Sequence, residues 1–301
     1  MPKEDSSENP IRVQYQIGPK TTHVRHDPAH CLAPGLFRSL RRGARIKQKL
    51  HVIYKFGKKE LLEFSGPEPL GADDLVVLQG LVAMAGPQKI ILGPDEKSEK
   101  GIILRKRLDL KWDAVNHGTM VVKSSYRKLA REIGYNPDSG GDLKTIFKCI
   151  ERLWKVSIIV QSGNRRRGYN MLSEYGSDDK EGKLYVALNC RVAEAVFGVI
   201  PHARINMDEV RALKGAHSRI LHQRLSAIIA QGETKKILPD RLVSYIWPDP
   251  AKGSTHRMRL KTLRKSLQEI VKTGAWQIEP GYLIKRKGFP KQHRRIKKKK
   301  V

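Results

Sequence analysis

The hydrophobic positions of this chain follow one pattern twice. In the first half, a short helix is predicted around Leu129 and Ile133, and a longer helix over 142–154 follows after a loop. The second half repeats this order with four more residues in its loop. The matched hydrophobic positions are Leu129 with Leu242, Ile133 with Ile246, Ile146 with Leu263, Ile150 with Leu267, and Trp154 with Val271.

A β-hairpin is expected after each of the longer helices. The stretch 156–173 turns through three arginines, and the stretch that begins at Trp276 turns at Glu279-Pro-Gly281. A short helix, a turn, a longer helix and a hairpin make up a winged helix-turn-helix, whose longer helix enters the DNA major groove. The pattern predicts an α+β fold with tandem winged helix-turn-helix domains over 46–200 and 201–287.

The regions outside the two motifs are less regular. Residues 1–45 have little periodic hydrophobicity and are expected to form a flexible arm, and 288–301 form a basic tail. A β-hairpin is predicted over 50–64, followed by a helix over 75–85 that Gly86 and Pro87 stop. The ambiguous segment 101–123 is interpreted as a further hairpin before the first motif.

The net charge of the chain indicates what kind of partner it binds. Its 301 residues, enough for about two domains, carry 59 Lys and Arg against 30 Asp and Glu, a net charge of +29. Ten of these basic residues follow Tyr282 without an acid, so +19 remains on the rest. This excess indicates a polyanionic partner, with nucleic acid ahead of an acidic membrane surface.

The cysteines and the apolar runs bear on the compartment. Cys31, Cys149 and Cys190 are odd in number and have no metal-site spacing, which fits a reducing cytosol. No apolar run approaches the roughly 20 residues that a membrane span needs. We therefore expect a cytoplasmic protein that has no membrane partner.

The predicted helix over 254–273 carries the best mixture of DNA-contacting side chains. Arg and Gln can read the edges of guanine and adenine, whereas Lys more often meets phosphate. A solvated helix that happens to be basic is the alternative interpretation. The candidate DNA-binding residues here are Thr255, His256, Arg257, Arg259, Lys261, Arg264, Lys265 and Gln268.

The first motif offers fewer base-reading side chains and more phosphate contacts. Its candidates are Lys144, Lys148 and Arg152 on the longer helix and Arg165, Arg166 and Arg167 at the tip of the hairpin. The alternatives are a solvated helix and a plain hairpin turn. The terminal run Lys297–Lys300 either adds non-specific affinity for DNA or only raises solubility. The first motif is also the candidate surface for a homodimer or another partner.

Motifs for catalysis, metals and cofactors are missing from the sequence. The chain has no His-x-His pair of the kind that holds the metal of a nickase, and no phosphate-binding Gly-x-x-x-x-Gly-Lys loop. His23, His26, His30 and Cys31 lack the second ligand pair of a structural zinc site. We expect a protein that is not an enzyme and needs no cofactor. An enzyme that cuts or primes DNA is the alternative from another class.

Several long blocks of this sequence resemble RepC, the replication initiator family of IncQ-type broad-host-range plasmids. The likeness covers about residues 22 to 280, and the loop at 231–238, the N-terminus and the Lys/Arg-rich end depart from it. The blocks include His23-Val-Arg-His-Asp-Pro-Ala-His-Cys-Leu-Ala-Pro-Gly-Leu-Phe37, Leu78-Gln-Gly-Leu-Val-Ala-Met-Ala-Gly-Pro87, Cys149-Ile-Glu-Arg-Leu-Trp-Lys-Val-Ser-Ile-Ile159 and Met207-Asp-Glu-Val-Arg-Ala-Leu213.

The resemblance implies more than the residue pattern does. It implies two winged-helix domains, binding to directly repeated sites (iterons) in double-stranded plasmid origin DNA, and opening of an adjacent AT-rich segment. It also implies recruitment of the plasmid-encoded helicase and primase. A transcriptional regulator that binds DNA without opening it fits the residue pattern equally well.

Overall fold

The computed structural model describes residues 22–41, 43–88, 91–92, 119–178 and 182–288. The basic tail from residue 289 onward, the first 21 residues and most of the predicted hairpin over 101–123 lie outside the described residues. Within the described ranges the protein is a mixed α+β structure, as the sequence predicts. No helix in these ranges is both long enough and apolar enough to cross a membrane.

The helices alternate with short strands along the chain. The helices are α1 (Pro28–Leu32), α2 (Ala44–Lys47), α3 (Ala72–Gln88), α4 (Tyr126–Ile133), α5 (Gly140–Trp154), α6 (Cys190–Phe197), α7 (Met207–Ala212), α8 (Ala216–Ile228), α9 (Pro239–Ile246) and α10 (Gly253–Lys272).

Within the part of the chain that the structure describes, the strands form four small sheets. They are β1 (His23–His26), β2 (Leu50–Phe56), β3 (Glu60–Gly66), β4 (Ile91–Leu92), β5 (Thr119–Ser124), β6 (Ser157–Ser162), β7 (Arg165–Asn170), β8 (Leu172–Asp178), β9 (Lys183–Leu188), β10 (Ala203–Asn206), β11 (Thr234–Lys236), β12 (Trp276–Glu279) and β13 (Leu283–Arg286).

Helix α3 lies at the centre of the larger core. Leu75, Val76, Val77 and Leu78 are consecutive and all fully buried, so the helix has no solvent face over this turn. It contacts β1, α4, α5 and α8, which surround it. It approaches α4 closely at Gly80, where an added Cβ would lie 2.3 Å from a methyl carbon of its neighbour in α4. The predicted helix is confirmed, although it runs past Gly86 and Pro87 to Gln88.

The two halves share one order of strands. By this order, the hairpin predicted over 156–173 is not the counterpart of the hairpin in the second half. The second half has the sheet β11-β13-β12, and the first half contains β5-β9-β8 in the same sequence of first, third and second strand. The hairpin that corresponds to β12–β13 is therefore β8–β9. The predicted arginine-rich hairpin β6–β7 pairs instead with β3, in the sheet β2-β3-β6-β7. It is an additional hairpin between α5 and β8.

The smaller core belongs to the second half. Helices α8, α9 and α10 pack around Leu221, Leu225, Leu263 and Ile270, all fully buried, and Trp276 of β12 closes the core from the hairpin side. Leu242 and Ile246 of the short helix also point into this core, as their spacing predicts. The short and long helices of both motifs are thus confirmed.

The prediction that residues 1–45 form a flexible arm is wrong for residues 22–41. Strand β1 pairs with β10, placing Val24 opposite Ile205, and Asp27 caps α1 by accepting a hydrogen bond from the Ala29 amide at 2.9 Å. Leu36 is fully buried in the larger core. This segment was not predicted to be folded, because its elements are short and it contains several Pro and Gly residues. Hydrophobic periodicity can be recognised only over longer runs.

Polar contacts fix the two halves against each other. Arg211 of α7 bonds Glu132 of α4 at 3.1 Å, and Arg219 of α8 lies 3.6 Å from Asp73 of α3. The Tyr135 hydroxyl donates to the same aspartate at 2.5 Å. Since these groups come from both halves, the surfaces of the two motifs are held in one arrangement.

Candidate nucleic-acid interface

Helix α10 is the longest helix with an exposed basic side among the residues described. Its 20 residues span about 30 Å. Leu263, Ser266, Leu267 and Ile270 seat it on the smaller core. The helix begins at Gly253, and its cap residue Lys252 makes no side-chain hydrogen bond. The first amide groups of α10 therefore remain available to an external acceptor such as phosphate.

Most of the predicted DNA-binding residues of α10 lie on its solvent side. At 3.6 residues per turn, positions 257, 261, 264, 265 and 268 form one stripe along the helix. Only long polar side chains occupy this stripe, which is the composition that a helix in the major groove needs. The exposed candidates are Thr255, Arg257, Lys261, Arg264, Lys265 and Gln268.

Two of the α10 candidates are held by the protein itself. The Nε2 atom of His256 lies 3.3 Å from the Asp240 carboxylate of α9. The Arg259 guanidinium stacks 5.5 Å from the centre of the Trp247 ring and donates to the Asp249 carbonyl. Both side chains are half-buried, so they stabilise the start of α10 and contribute less to its exposed stripe.

Arg152 of the first motif is not on a DNA-facing surface, and that prediction is wrong. Its Nε donates to Asp74 at 2.8 Å, and Asp74 is fully buried in the first turn of α3. Burial by itself lowers the pKa of this guanidinium, but the Asp74 carboxylate outweighs burial and raises it above its usual value. The other two candidates on α5, Lys144 and Lys148, are exposed as predicted.

The three candidate arginines of the first motif lie in strand β7 rather than at a hairpin tip. The turn consists of Gly163 and Asn164, with Gly163 at a φ of 58°. Because side chains alternate along a strand, Arg165 and Arg167 share one face and Arg166 has the other. Arg166 lies 3.7 Å from Glu63 of β3, whereas the other two line a cleft of about 260 Å³.

The surface beside this turn is more basic than the sequence indicates. In the register of β3 and β6, Glu60 lies opposite Ser162, so the β2–β3 turn and the β6–β7 turn are adjacent. The β2–β3 turn carries exposed Lys58 and Lys59. These lysines were not candidates, because only the pairing of the two hairpins brings them beside the arginines.

A second group that the sequence did not single out lies beside α10. Arg38 and Arg41 line one wall of a cleft of about 810 Å³, and Thr255, Met258 and Thr262 of α10 line the other. The basic run from Arg38 to Lys47 is visible in the sequence, but it fell within the predicted flexible arm. The structure fixes Arg38 and Arg41 next to the candidate DNA-binding helix.

The histidines near the N-terminus are part of the core. His26 and His30 are buried with their ring centres 6.1 Å apart, and His30 Nε2 lies 3.6 Å from Asp27. Burial lowers the pKa of both, that of His30 to about 4, so both are neutral at physiological pH. Across the described ranges no three His, Cys, Asp or Glu residues come together as a metal site would require.

Comparison with known proteins gives both a family and a fold. The family model for replication protein C (RepC) matches residues 19–287. No curated protein sequence matches the chain. Crystal structures of domains 2 and 3 of RctB have a similar fold. The structure of a selenomethionine derivative matches with a TM-score of 0.51 and 10% sequence identity. The match covers 81% of this chain and 85% of the RctB chain. A second structure has a TM-score of 0.50 at 12% identity, covering 85% and 94%.

Proposed function

This chain belongs to the replication protein C (RepC) family, and on that basis we propose that it initiates plasmid replication by binding repeated double-stranded sites, iterons, at the origin. The observation that carries the proposal is the basic stripe of α10. It presents Arg, Lys and Gln outward over several turns while a buried apolar face fixes the helix to its domain. This is how a protein reads base edges in a major groove.

Both halves are, in this proposal, winged-helix domains. The second half has the order α8, β11, α9, α10 and the hairpin β12–β13, with β13 between the other two strands. The first half repeats this order with α3, β5, α4, α5 and β8–β9. Two such domains in one fixed arrangement suit a protein that binds an extended duplex site.

The two halves divide the binding between them. Helix α10 makes most base contacts, since its stripe carries Arg257, Arg264 and Gln268. The first half makes phosphate contacts through Lys144, Lys148 and the arginines of β7. It also provides the surface on which a homodimer or the plasmid helicase and primase assemble. Bound iterons then promote opening of an adjacent AT-rich segment.

The protein acts without a catalytic centre of its own. The acid Asp74, for example, is fully buried and pairs with Arg45 and Arg152, which gives it a structural role. A nicking assay on supercoiled origin DNA with magnesium tests this. We expect the plasmid to stay supercoiled, and relaxed or linear product that depends on the protein would contradict the proposal.

Base reading is tested with a double substitution on α10, Arg257→Ala with Lys261→Ala. Fluorescence anisotropy on an iteron duplex and on a scrambled duplex measures affinity and discrimination. One bidentate arginine contact contributes about 1–3 kcal/mol of discrimination, so we expect iteron binding to weaken by roughly tenfold or more. Unchanged iteron affinity would rule out α10 as the reading helix.

The charge-preserving variant Arg257→Lys separates base reading from simple attraction. A lysine keeps the positive charge but loses the two parallel hydrogen bonds that a guanidinium makes to guanine. We expect discrimination to fall while the salt dependence of binding is retained. Permanganate probing of thymines next to the iterons then distinguishes an initiator from a regulator that leaves the duplex closed.

A further inference from the structure

A cleft of about 810 Å³ separates the N-terminal half of α10 from residues 38–41 and 44–48. One wall carries Arg38, Arg41 and Gln48, and His217 and Trp247 lie at the base. The other wall is the side of α10 next to its exposed basic stripe. The α10 residues that line it are Ser254, Thr255, Met258, Arg259 and Thr262.

The wall opposite α10 is fixed to the second half by backbone contacts. Ser39 donates its amide to the Ile246 carbonyl at 2.9 Å, and its hydroxyl lies 2.9 Å from His217 Nε2. An added Cβ at Gly35 would lie 3.2 Å from Pro248, which shows how closely the two segments approach. The segment therefore keeps its place relative to α10.

The same segment is also fixed to the first half. The Arg38 amide donates to the Leu70 carbonyl at 3.1 Å. The Arg45 guanidinium in α2 donates to the Pro69 carbonyl at 2.7 Å and to Asp74 at 2.9 Å. These anchors leave Arg41 and Lys47 exposed to solvent, and among the described residues neither side chain forms an ion pair.

The charge of the cleft favours an anion with several phosphates. Three guanidinium groups, those of Arg38, Arg41 and Arg259, line it, and Asp249 is the lining residue with a carboxylate. The Arg38 guanidinium already donates to Gln48 at 2.6 Å, which orients its remaining N–H groups. Guanidinium groups with fixed orientation can donate two parallel hydrogen bonds to phosphate oxygens.

We propose that this cleft binds the sugar-phosphate backbone of the DNA strand that borders the groove occupied by α10, with Arg41 as the main phosphate contact. This inference rests on the proposed function, since α10 places the duplex. The cleft lies beside the stripe, because Met258 of its wall directly follows Arg257 of the stripe, so a strand leaving the stripe enters the cleft. Exposed Met258 packs against a deoxyribose there.

Arg41→Ala tests the proposal, because Arg41 is exposed and its loss leaves the fold intact. Binding is measured by anisotropy on iteron and scrambled duplexes over a range of salt concentrations. One lost phosphate contact lowers affinity about five- to tenfold at 0.1 M salt and reduces the log-log salt slope by about 1. We expect the same loss on both duplexes, because phosphate contacts carry no sequence information.

Arg204→Ala is the matched control, since it removes one exposed arginine from β10. We expect its affinity and salt slope to equal those of the wild type. Ethylation interference gives a second readout: one or two backbone phosphates sensitive in the wild type should become insensitive in Arg41→Ala. Loss of sensitivity at these positions places the strand in the cleft independently of affinity.

The outcomes separate this inference from the proposed function. If Arg257→Ala abolishes discrimination but Arg41→Ala keeps the wild-type salt slope and ethylation pattern, the cleft inference is overturned and the function stands. If the wild type does not discriminate iterons at all, the proposed function fails. A reduced salt slope in Arg41→Ala would then still support a backbone contact in the cleft.

Discussion

Replacing Arg152 by alanine should destabilise the protein without changing its electrostatic attraction to DNA. In the folded chain its guanidinium is 14% exposed and donates to Asp74, which is 0% exposed. The same carboxylate also accepts hydrogen bonds from the Arg45 guanidinium at 2.9 Å and from the Gly71 amide at 2.8 Å. Arg152→Ala therefore removes one of three partners from a buried charge.

The size of the effect follows from this geometry. Breaking a buried ion pair by removing one partner costs about 3–5 kcal/mol. Two of the three partners of Asp74 remain, so we expect a loss near the lower limit, roughly 3 kcal/mol. For a protein of this size each kcal/mol lowers Tm by about 2–4 °C, so the melting temperature should fall by about 6–12 °C.

The assay pairs thermal unfolding with DNA binding, and Lys148→Ala is the matched control for the unfolding measurement. Lys148 lies one turn earlier on the same helix and is exposed. We expect its substitution to leave Tm within about 1–2 °C of the wild type, as for most surface changes. If Arg152→Ala melted like the control but lowered the salt slope of DNA binding by about 1, Arg152 would be a phosphate contact after all.

Three further predictions follow from buried positions. Gly80→Ala should lower the free energy of unfolding, measured by chemical denaturation, by about 1–3 kcal/mol, because the added methyl group overlaps α4. Gly86→Ala on the same helix is the control: its methyl group meets no described atom within 4 Å, so the free energy of unfolding should stay the same or rise slightly. Trp276→Phe keeps an aromatic ring, although a smaller one, but loses the hydrogen bond to buried Glu209, so it should lower the free energy of unfolding by about 1–3 kcal/mol by the same measurement. An unchanged midpoint would contradict this role. Burial lowers the pKa of His30 from 6.5 to about 4, so the unfolded chain binds a proton between these values and the folded chain does not. Stability should then fall by up to about 3 kcal/mol as the pH drops from 6.5 to 4, and His30→Gln should flatten this dependence in denaturant titrations at several pH values.

The sequence was sufficient for the elements with long hydrophobic repeats. Helices α5 and α10 each bury residues three or four positions apart, from Ile146 to Leu153 and from Leu263 to Ile270, so their spacing alone placed them. The stripe of α10 was predictable for the same reason, because a helix with one buried side must expose the other. The short elements before residue 45 offered no such repeat, and their burial depends on partners far along the chain.

Two predictions were wrong because the roles of the residues depend on their partners in the fold and not on their positions in the sequence. Arg152 has the spacing of a surface residue, but its guanidinium donates to Asp74 of α3, 78 residues earlier in the chain, which keeps it away from the surface. The β6–β7 hairpin follows α5 as a wing would, yet its edge pairs with β3. Neither partner can be read from local sequence, since both are set by the tertiary fold.

The pairing of β1 with β10 has a consequence for synthesis of the protein. Val24 lies opposite Ile205, so the first strand has no partner until some 180 further residues have left the ribosome. At about 5–20 residues per second, this delay is roughly 10–40 s. During that time the nascent chain exposes an unpaired strand edge and the apolar residues of α1. The part of the core that β1 and α1 close is therefore completed late, although these two elements are synthesised early.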